Sequence, residues 1–208
     1  MLKEKLIQGI NQLNLSLGDD QVNLLIDYVQ LLNKWNKTYN LTAIRDINEM
    51  ISLHLLDSLA VAPYLQGHDI LDVGTGAGVP GIPLAICFPE YNFTLLDSNG
   101  KKTRFVQQAV LTLGLKNINV VQSRIEHFVS HDKFTTIISR AFAAIDDMLK
   151  GAAHLCRHQG EFLAMKGIDP EKEWQAVAAD YHLLETIKLS VPFIDGDRHL
   201  VRIRLKNK

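Results

Sequence analysis

Apolar residues recur every three or four positions in the first third of the chain and gather into short blocks afterwards. Leu2, Leu6 and Ile10 keep helical spacing, as do Leu24, Leu25, Tyr28, Leu31, Leu32 and Trp35. Thr42 to Asp46 reads as the lead-in to another helix, with Met50, Ile51, Leu55 and Leu59 on its apolar side and Pro63 at or just beyond its end. After Gly67 the rhythm changes. Apolar runs at 70–73, 93–96, 118–121, 134–139 and 162–165 predict strands. Residues 83–88, 101–113, 146–155 and 174–179 predict helices, the second of them stopped near Gly114. Such alternation builds a parallel sheet with helices on both faces. The last two runs, 183–191 and 199–205, lack a helix-length crossover, so they pair as an antiparallel hairpin through the 192–197 turn region. The expected fold is therefore α/β: a Rossmann-like core over 67–208, mainly parallel with a C-terminal antiparallel hairpin. A helical extension over 1–66 packs on it to make one compact unit.

With 208 residues the chain can form one well-cored domain plus a modest extension. No apolar run approaches the roughly 20 residues of a membrane span, and Met1 to Lys5 leads into polar sequence rather than a signal core. A cytoplasmic protein away from membranes is expected. Cys87 and Cys156 sit among apolar neighbours and form no CxxC pair, so they read as small buried hydrophobes. No metal is expected. The net charge of -1 and pI near 6.7 do not advertise a nucleic-acid binder. The sum hides local clusters, however. Lys101, Lys102 and Arg104 stand together, and Arg198, Arg202, Arg204, Lys206 and Lys208 crowd the C-terminus against Asp197. A local basic face is compatible with this pattern.

The most informative stretch runs from Leu71 to Gly81, an apolar strand entering a loop with glycines at Gly74, Gly76 and Gly78. Such loops line the crevice at the carboxyl ends of parallel strands, where ligands bind. Gly76-x-Gly78-x-x-Gly81 also satisfies the dinucleotide fingerprint, a weak signal by itself. Asp72 ahead of the first glycine favours S-adenosylmethionine, whose amino group a carboxylate there can reach. A hairpin ending the sheet likewise resembles the methyltransferase version of the fold. Asp97 ends the second predicted strand, where an acid can accept hydrogen bonds from both ribose hydroxyls. It can equally cap the next helix. Glu126, after the third strand, suits an adenine-framing loop or a helix start.

Several strings are more specific than a superfamily: Trp35-Asn36-Lys37, Tyr39-Asn40-Leu41-Thr42, His54-Leu55-Leu56-Asp57-Ser58, Gly78-Val79-Pro80-Gly81-Ile82-Pro83, Ser139-Arg140-Ala141-Phe142-Ala143, Met165-Lys166-Gly167 and Arg198-His199-Leu200. In this order, along nearly the whole chain, the sequence resembles the ribosomal RNA small subunit methyltransferase G family (RsmG, or GidB). The resemblance implies an S-adenosylmethionine-dependent transferase that methylates guanine N7 in 16S rRNA, releasing S-adenosylhomocysteine. It implies cofactor contacts at Gly74, Val79, Ile125, Glu126 and Arg140. The implied partner is the small ribosomal subunit or its RNA. A monomer is expected, though no residue pattern speaks to the oligomeric state.

The chemistry is compatible. Guanine N7 offers a lone pair and has no proton to lose, so alignment matters more than a base. There is no Asn/Asp-Pro-Pro-Tyr motif for amine methylation and no Pro-Cys nucleophile. Arg140 and Lys166 follow successive strands at the carboxyl edge and are candidates for positioning rather than acid/base work. Lys166 can hold a phosphate or the guanine O6. Asn40, Thr42, Arg45 and His54 are candidates to line the acceptor pocket from the extension, and Arg198 and His199 from the last strand. His54 and Asp57, three apart on one helical face, read equally as a buried structural pair or as a pair with a role at the substrate pocket. The rivals are a methyltransferase with another acceptor, a nicotinamide-dependent oxidoreductase, and a non-catalytic RNA-binding factor. No Tyr-x-x-x-Lys pair supports the second.

Overall fold

Alternate residues of the central strands go to opposite cores. Along β1 (Asp69–Val73), Ile70 faces one core while Leu71 and Val73 face the other; β2 (Asn92–Asp97) separates Phe93 and Leu95 from Leu96 in the same way. Strands apolar on both faces must be covered on both. The computed structural model describes all residues except 143, 169, 176, 178, 179, 207 and 208, and Gln175 only through its backbone. With β3 (Ile118–Gln122), β4 (Phe134–Ser139), β5 (Cys156–Lys166), β6 (Tyr181–Lys188) and β7 (His199–Leu205), the sheet runs β3-β2-β1-β4-β5-β7-β6. Neighbours from β3 through β5 are parallel, and β7 is antiparallel to both β5 and β6. The predicted hairpin is present, with the later strand inserted against the parallel set.

Helices α1 (Leu2–Gln12), α2 (Asp19–Tyr39), α5 (Gly81–Cys87) and α6 (Gly100–Leu113) share one core; α7 (Ile145–Ala152) covers the other face. Helix α6 begins where the Asn99 side chain accepts from the Lys101 and Lys102 amides, and ends at Gly114 with φ 66°. The cap is thus Asn99, not Asp97. Helix α2 buries Val22, Leu25, Tyr28, Val29 and Leu32, and the Tyr28 hydroxyl donates to the Ala77 carbonyl at 2.7 Å. The N-terminal helices therefore brace the glycine loop from behind.

The third predicted helix is not regular. Helix α3 (Ile47–Met50) runs into a π turn (Ile51–Leu56) and then α4 (Asp57–Leu59). The Asp57 amide donates to the carbonyls of Ser52 and His54 and passes over that of Leu53. The helix ends at Leu59, and Pro63 lies just beyond it as expected, inside a 3-10 turn, Ala62–Tyr64. The helix expected over 146–155 is α7 followed by a separate 3-10 turn, Ala153–Leu155. That expected over 174–179 is the short α8 (Glu171–Gln175), with 176, 178 and 179 outside the described residues.

Candidate active site

Strand order reverses beside β1, and the crevice this opens holds three adjoining hollows. The first, about 200 Å³, is lined by Val73, Gly74, Leu96, Asp97, Ser98, Ser123, Arg124, Ile125, Glu126 and Phe142. The second, about 230 Å³, includes Leu41, Thr42, His54, Gly74, Gly76, Val79, Lys102 and Arg140. The third, about 220 Å³, is lined by Asp57, Arg140, Met165, Lys166, Gly167, Leu189, Arg198 and His199. Gly74 borders the first two and Arg140 the last two, so they run on from one another along the sheet edge.

Asp97 ties the glycine loop to the second strand. Its Oδ2 accepts from the Gly76 amide at 2.8 Å and its Oδ1 from the Asn99 amide at 2.8 Å. Gly76 has φ 61°, and a Cβ there would meet no atom closer than 3.9 Å, so its bare face looks into the second hollow. At Gly78 a Cβ would overlap Ile82, so this glycine serves the approach of α5 to the loop. Asp72, expected against the ligand's amino group, lines none of the three hollows. Its carboxylate is wholly buried beneath the loop, with Oδ2 accepting from the Thr75 hydroxyl at 2.7 Å and the Gly81 amide at 2.9 Å. Burial pushes its pKa up to about 6, only partly opposed by those bonds. It shapes the loop that lines the hollow.

Arg140 Nη1 donates to the Leu53 carbonyl at 3.1 Å and to Asp57 Oδ2 at 2.8 Å. Arg198 Nε donates to Asp57 Oδ1 at 3.0 Å. The π turn explains the first bond, since it releases Leu53 from the helix ladder. Neither His54 nor Asp57 was expected to find its partner so far away in sequence: His54 Nε2 lies 3.0 Å from Thr42 Oγ1, and Asp57 takes the two arginines. Burial, reinforced by the charge of Arg140, pushes the His54 pKa down to about 4, leaving a neutral ring at neutral pH.

Lys166 borders the third hollow with its ammonium already engaged, 2.8 Å from Glu173 and 3.1 Å from the Phe142 carbonyl. His199 is buried there, and its Nδ1 has no partner among the described residues. Asn40 and Arg45 line none of these hollows. They bond to each other at 2.7 Å on the exposed loop after α2. The C-terminal basic run is largely neutralised: Arg202 and Arg204 both pair with buried Glu161, at 3.0 and 2.6 Å. Lys208 lies outside the described residues. Asp57 was read either as half of a buried pair or at the substrate pocket, but its two arginine partners escaped the sequence reading; the signal for them was an acid within an apolar helical run that must be paired if buried. Lys102 was seen only as part of a charge cluster, yet it borders the second hollow.

Burial pushes both thiols, Cys87 and Cys156, up to about 12, so neither supplies a nucleophile at neutral pH. The crevice instead offers apolar walls from Leu96, Ile125 and Phe142, an acid at the end of β2, and open backbone at Gly76. A nucleoside bearing an amino-acid tail fits this set. Such a crevice on such a sheet defines an S-adenosylmethionine-dependent methyltransferase. The fold is similar to a mitomycin 7-O-methyltransferase (TM-score 0.64, 16% identity, covering 86% of this chain and 60% of that one). It is also similar to a glycopeptide N-methyltransferase complexed with S-adenosylmethionine (TM-score 0.62, 10% identity, covering 74% and 88%). Residues 21–201 match the family described as rRNA small subunit methyltransferase G, GidB. A protein of Alteromonas mediterranea named ribosomal RNA small subunit methyltransferase G is 50% identical over 201 residues, 97% of this chain and 95% of its own. One of the same name from Escherichia coli is 52% identical over 200 residues, 96% and 97%. The chain belongs to the rRNA small subunit methyltransferase G family.

Proposed function

We propose that the acceptor is the N7 of a guanosine in the 16S rRNA of the small ribosomal subunit. The observation that carries this reading is the near full-length identity to relatives named for that RNA. The site's chemistry supports it. When bound, S-adenosylmethionine supplies a methyl group on a sulfonium, which an acceptor lone pair can take. N7 presents such a pair without a proton to remove, and the titratable neighbour best placed to act as a base, His54, is held by Thr42 in a buried setting. Rate then comes from alignment.

In this reading Asp97, Ile125 and Glu126 hold the adenosine in the first hollow. Gly74, Gly76 and Val79 hold the amino-acid tail in the second, while Asp72 and Gly78 act through the shape of the loop. Arg140 stands between cofactor and acceptor. Lys166, Arg198 and His199 border the acceptor in the third hollow, with Thr42 and His54 behind the tail. Asn40 and Arg45 meet the RNA outside the pocket. Residues 1–66 and 67–208 work as one unit, as a monomer in the cytoplasm. No helix among the described residues is long and apolar enough to cross a membrane.

The test is transfer of a radiolabelled methyl group from S-adenosylmethionine to small ribosomal subunits lacking methylation at this site, followed by nucleoside analysis. Labelled 7-methylguanosine is the expected product. Label in another nucleoside, or none despite cofactor binding, would move the reading to a different acceptor.

A further inference from the structure

Two guanidinium groups converge on one buried carboxylate at the boundary between the second and third hollows. Asp57 gives Oδ2 to Arg140 at 2.8 Å and Oδ1 to Arg198 at 3.0 Å, with its side chain 7% exposed. The arginines come from distant parts of the chain: Arg140 just past the end of β4, and Arg198 just before β7. The π turn sets the geometry. By passing over the Leu53 carbonyl, it gives Arg140 Nη1 a second acceptor at 3.1 Å beside the carboxylate. One nitrogen is thus held at two points by a single helical turn.

We infer that Asp57 is a positioning residue for methyl transfer, fixing Arg140 between the two hollows and offsetting the arginine charge next to the cofactor's sulfonium. Two unopposed guanidiniums would repel a ligand carrying a permanent positive charge. A carboxylate with an arginine on each oxygen leaves the cluster with one net positive charge instead of two. The inference rests on the cofactor's tail occupying the hollow bordered by Arg140, and is independent of the RNA acceptor.

S-adenosylmethionine and S-adenosylhomocysteine differ by the methyl group and its charge, so the ratio of their dissociation constants isolates the electrostatic part. Calorimetric titration of the full chain with each ligand is the experiment. In Asp57→Asn the ratio of the S-adenosylmethionine to the S-adenosylhomocysteine constant should rise about five- to tenfold. Arg198→Gln, which removes a positive charge and leaves Asp57 in place, should lower the same ratio about two- to threefold. It decides the matter if Asp57→Asn fails to fold. Equal weakening of both ligands by Asp57→Asn would mean a merely structural carboxylate and overturn the inference, as would an unchanged or raised ratio in folded Arg198→Gln. No RNA enters the measurement, so a failure of the guanosine assignment is distinguishable from a failure here.

Discussion

Thr42 Oγ1 and His54 Nε2 meet at 3.0 Å, linking the loop after α2 to the π turn. The pair joins a loop residue to a buried imidazole whose pKa lies near 4 when folded and near 6.5 when unfolded. Between these values the unfolded chain binds more protons, so stability falls as pH drops from about 6.5 and the loss is complete below about 4. Its size is about 3 kcal/mol. Urea unfolding of wild type and His54→Gln from pH 4 to 7 should show a steeper pH dependence in the wild type. Parallel curves would mean that His54 protonates freely in the folded protein.

Asp72 works in the opposite sense. Its folded pKa of about 6 exceeds the unfolded value of 3.8, so the native state holds the extra proton between them. Stability from this group is present below about pH 4 and is lost as pH rises through 6, by about 3 kcal/mol. The stability of Asp72→Asn relative to wild type should therefore improve as pH rises from 4 to 7. A difference that stays constant across that range would show that Asp72 ionises normally.

Gly76→Val should abolish binding of S-adenosylhomocysteine in a protein that still folds. The valine Cβ meets Gly74 O and Lys102 Nζ at ordinary contact distances of 3.9 and 4.0 Å, so the loss of stability comes mainly from φ 61°, about 1–2 kcal/mol. Calorimetry for binding and thermal unfolding for stability separate the two effects. Retained affinity would take the ligand off this loop.

Arg140→Ala should slow methyl transfer about a hundredfold, the scale of a misaligned reactant pair. Initial rates of label incorporation check this. Wild-type rates in a folded variant would remove Arg140 from the site.

Glu161 is buried and receives both Arg202 and Arg204, so Glu161→Ala leaves Arg204 without its carboxylate and Arg202 with the longer, 3.4 Å contact to Glu185. The expected destabilisation is about 3 kcal/mol by urea unfolding. A change below 1 kcal/mol would mean that the arginines are solvated and available to RNA.

The strands, α6 and the glycine loop were legible in the sequence because local periodicity and glycine spacing encode them. The π turn was not. Met50, Ile51, Leu55, Leu56 and Leu59 are all buried, and an apolar pattern that dense fits a π turn as well as an α-helix. Asp97 was read as either a ligand for ribose or a helix cap; its bonds to Gly76 and Asn99 give it a third task, fastening the loop. The pairs made by Asp57 span 83 and 141 residues, distances over which sequence spacing carries no information. The C-terminal arginines misled for the same reason, since Glu161 lies 41 residues before Arg202.

The insertion of β7 between β5 and β6 has a consequence for how the newborn chain acquires its site. Synthesis delivers β6 first, but β6 has no sheet neighbour until β7 arrives to separate it from β5. Arg198 and His199 come with that closing strand. The pocket bordered by Arg140 and Lys166 thus gains its far wall only once β7 has emerged, and a chain stopped before that strand carries the glycine loop beside an unfinished third hollow.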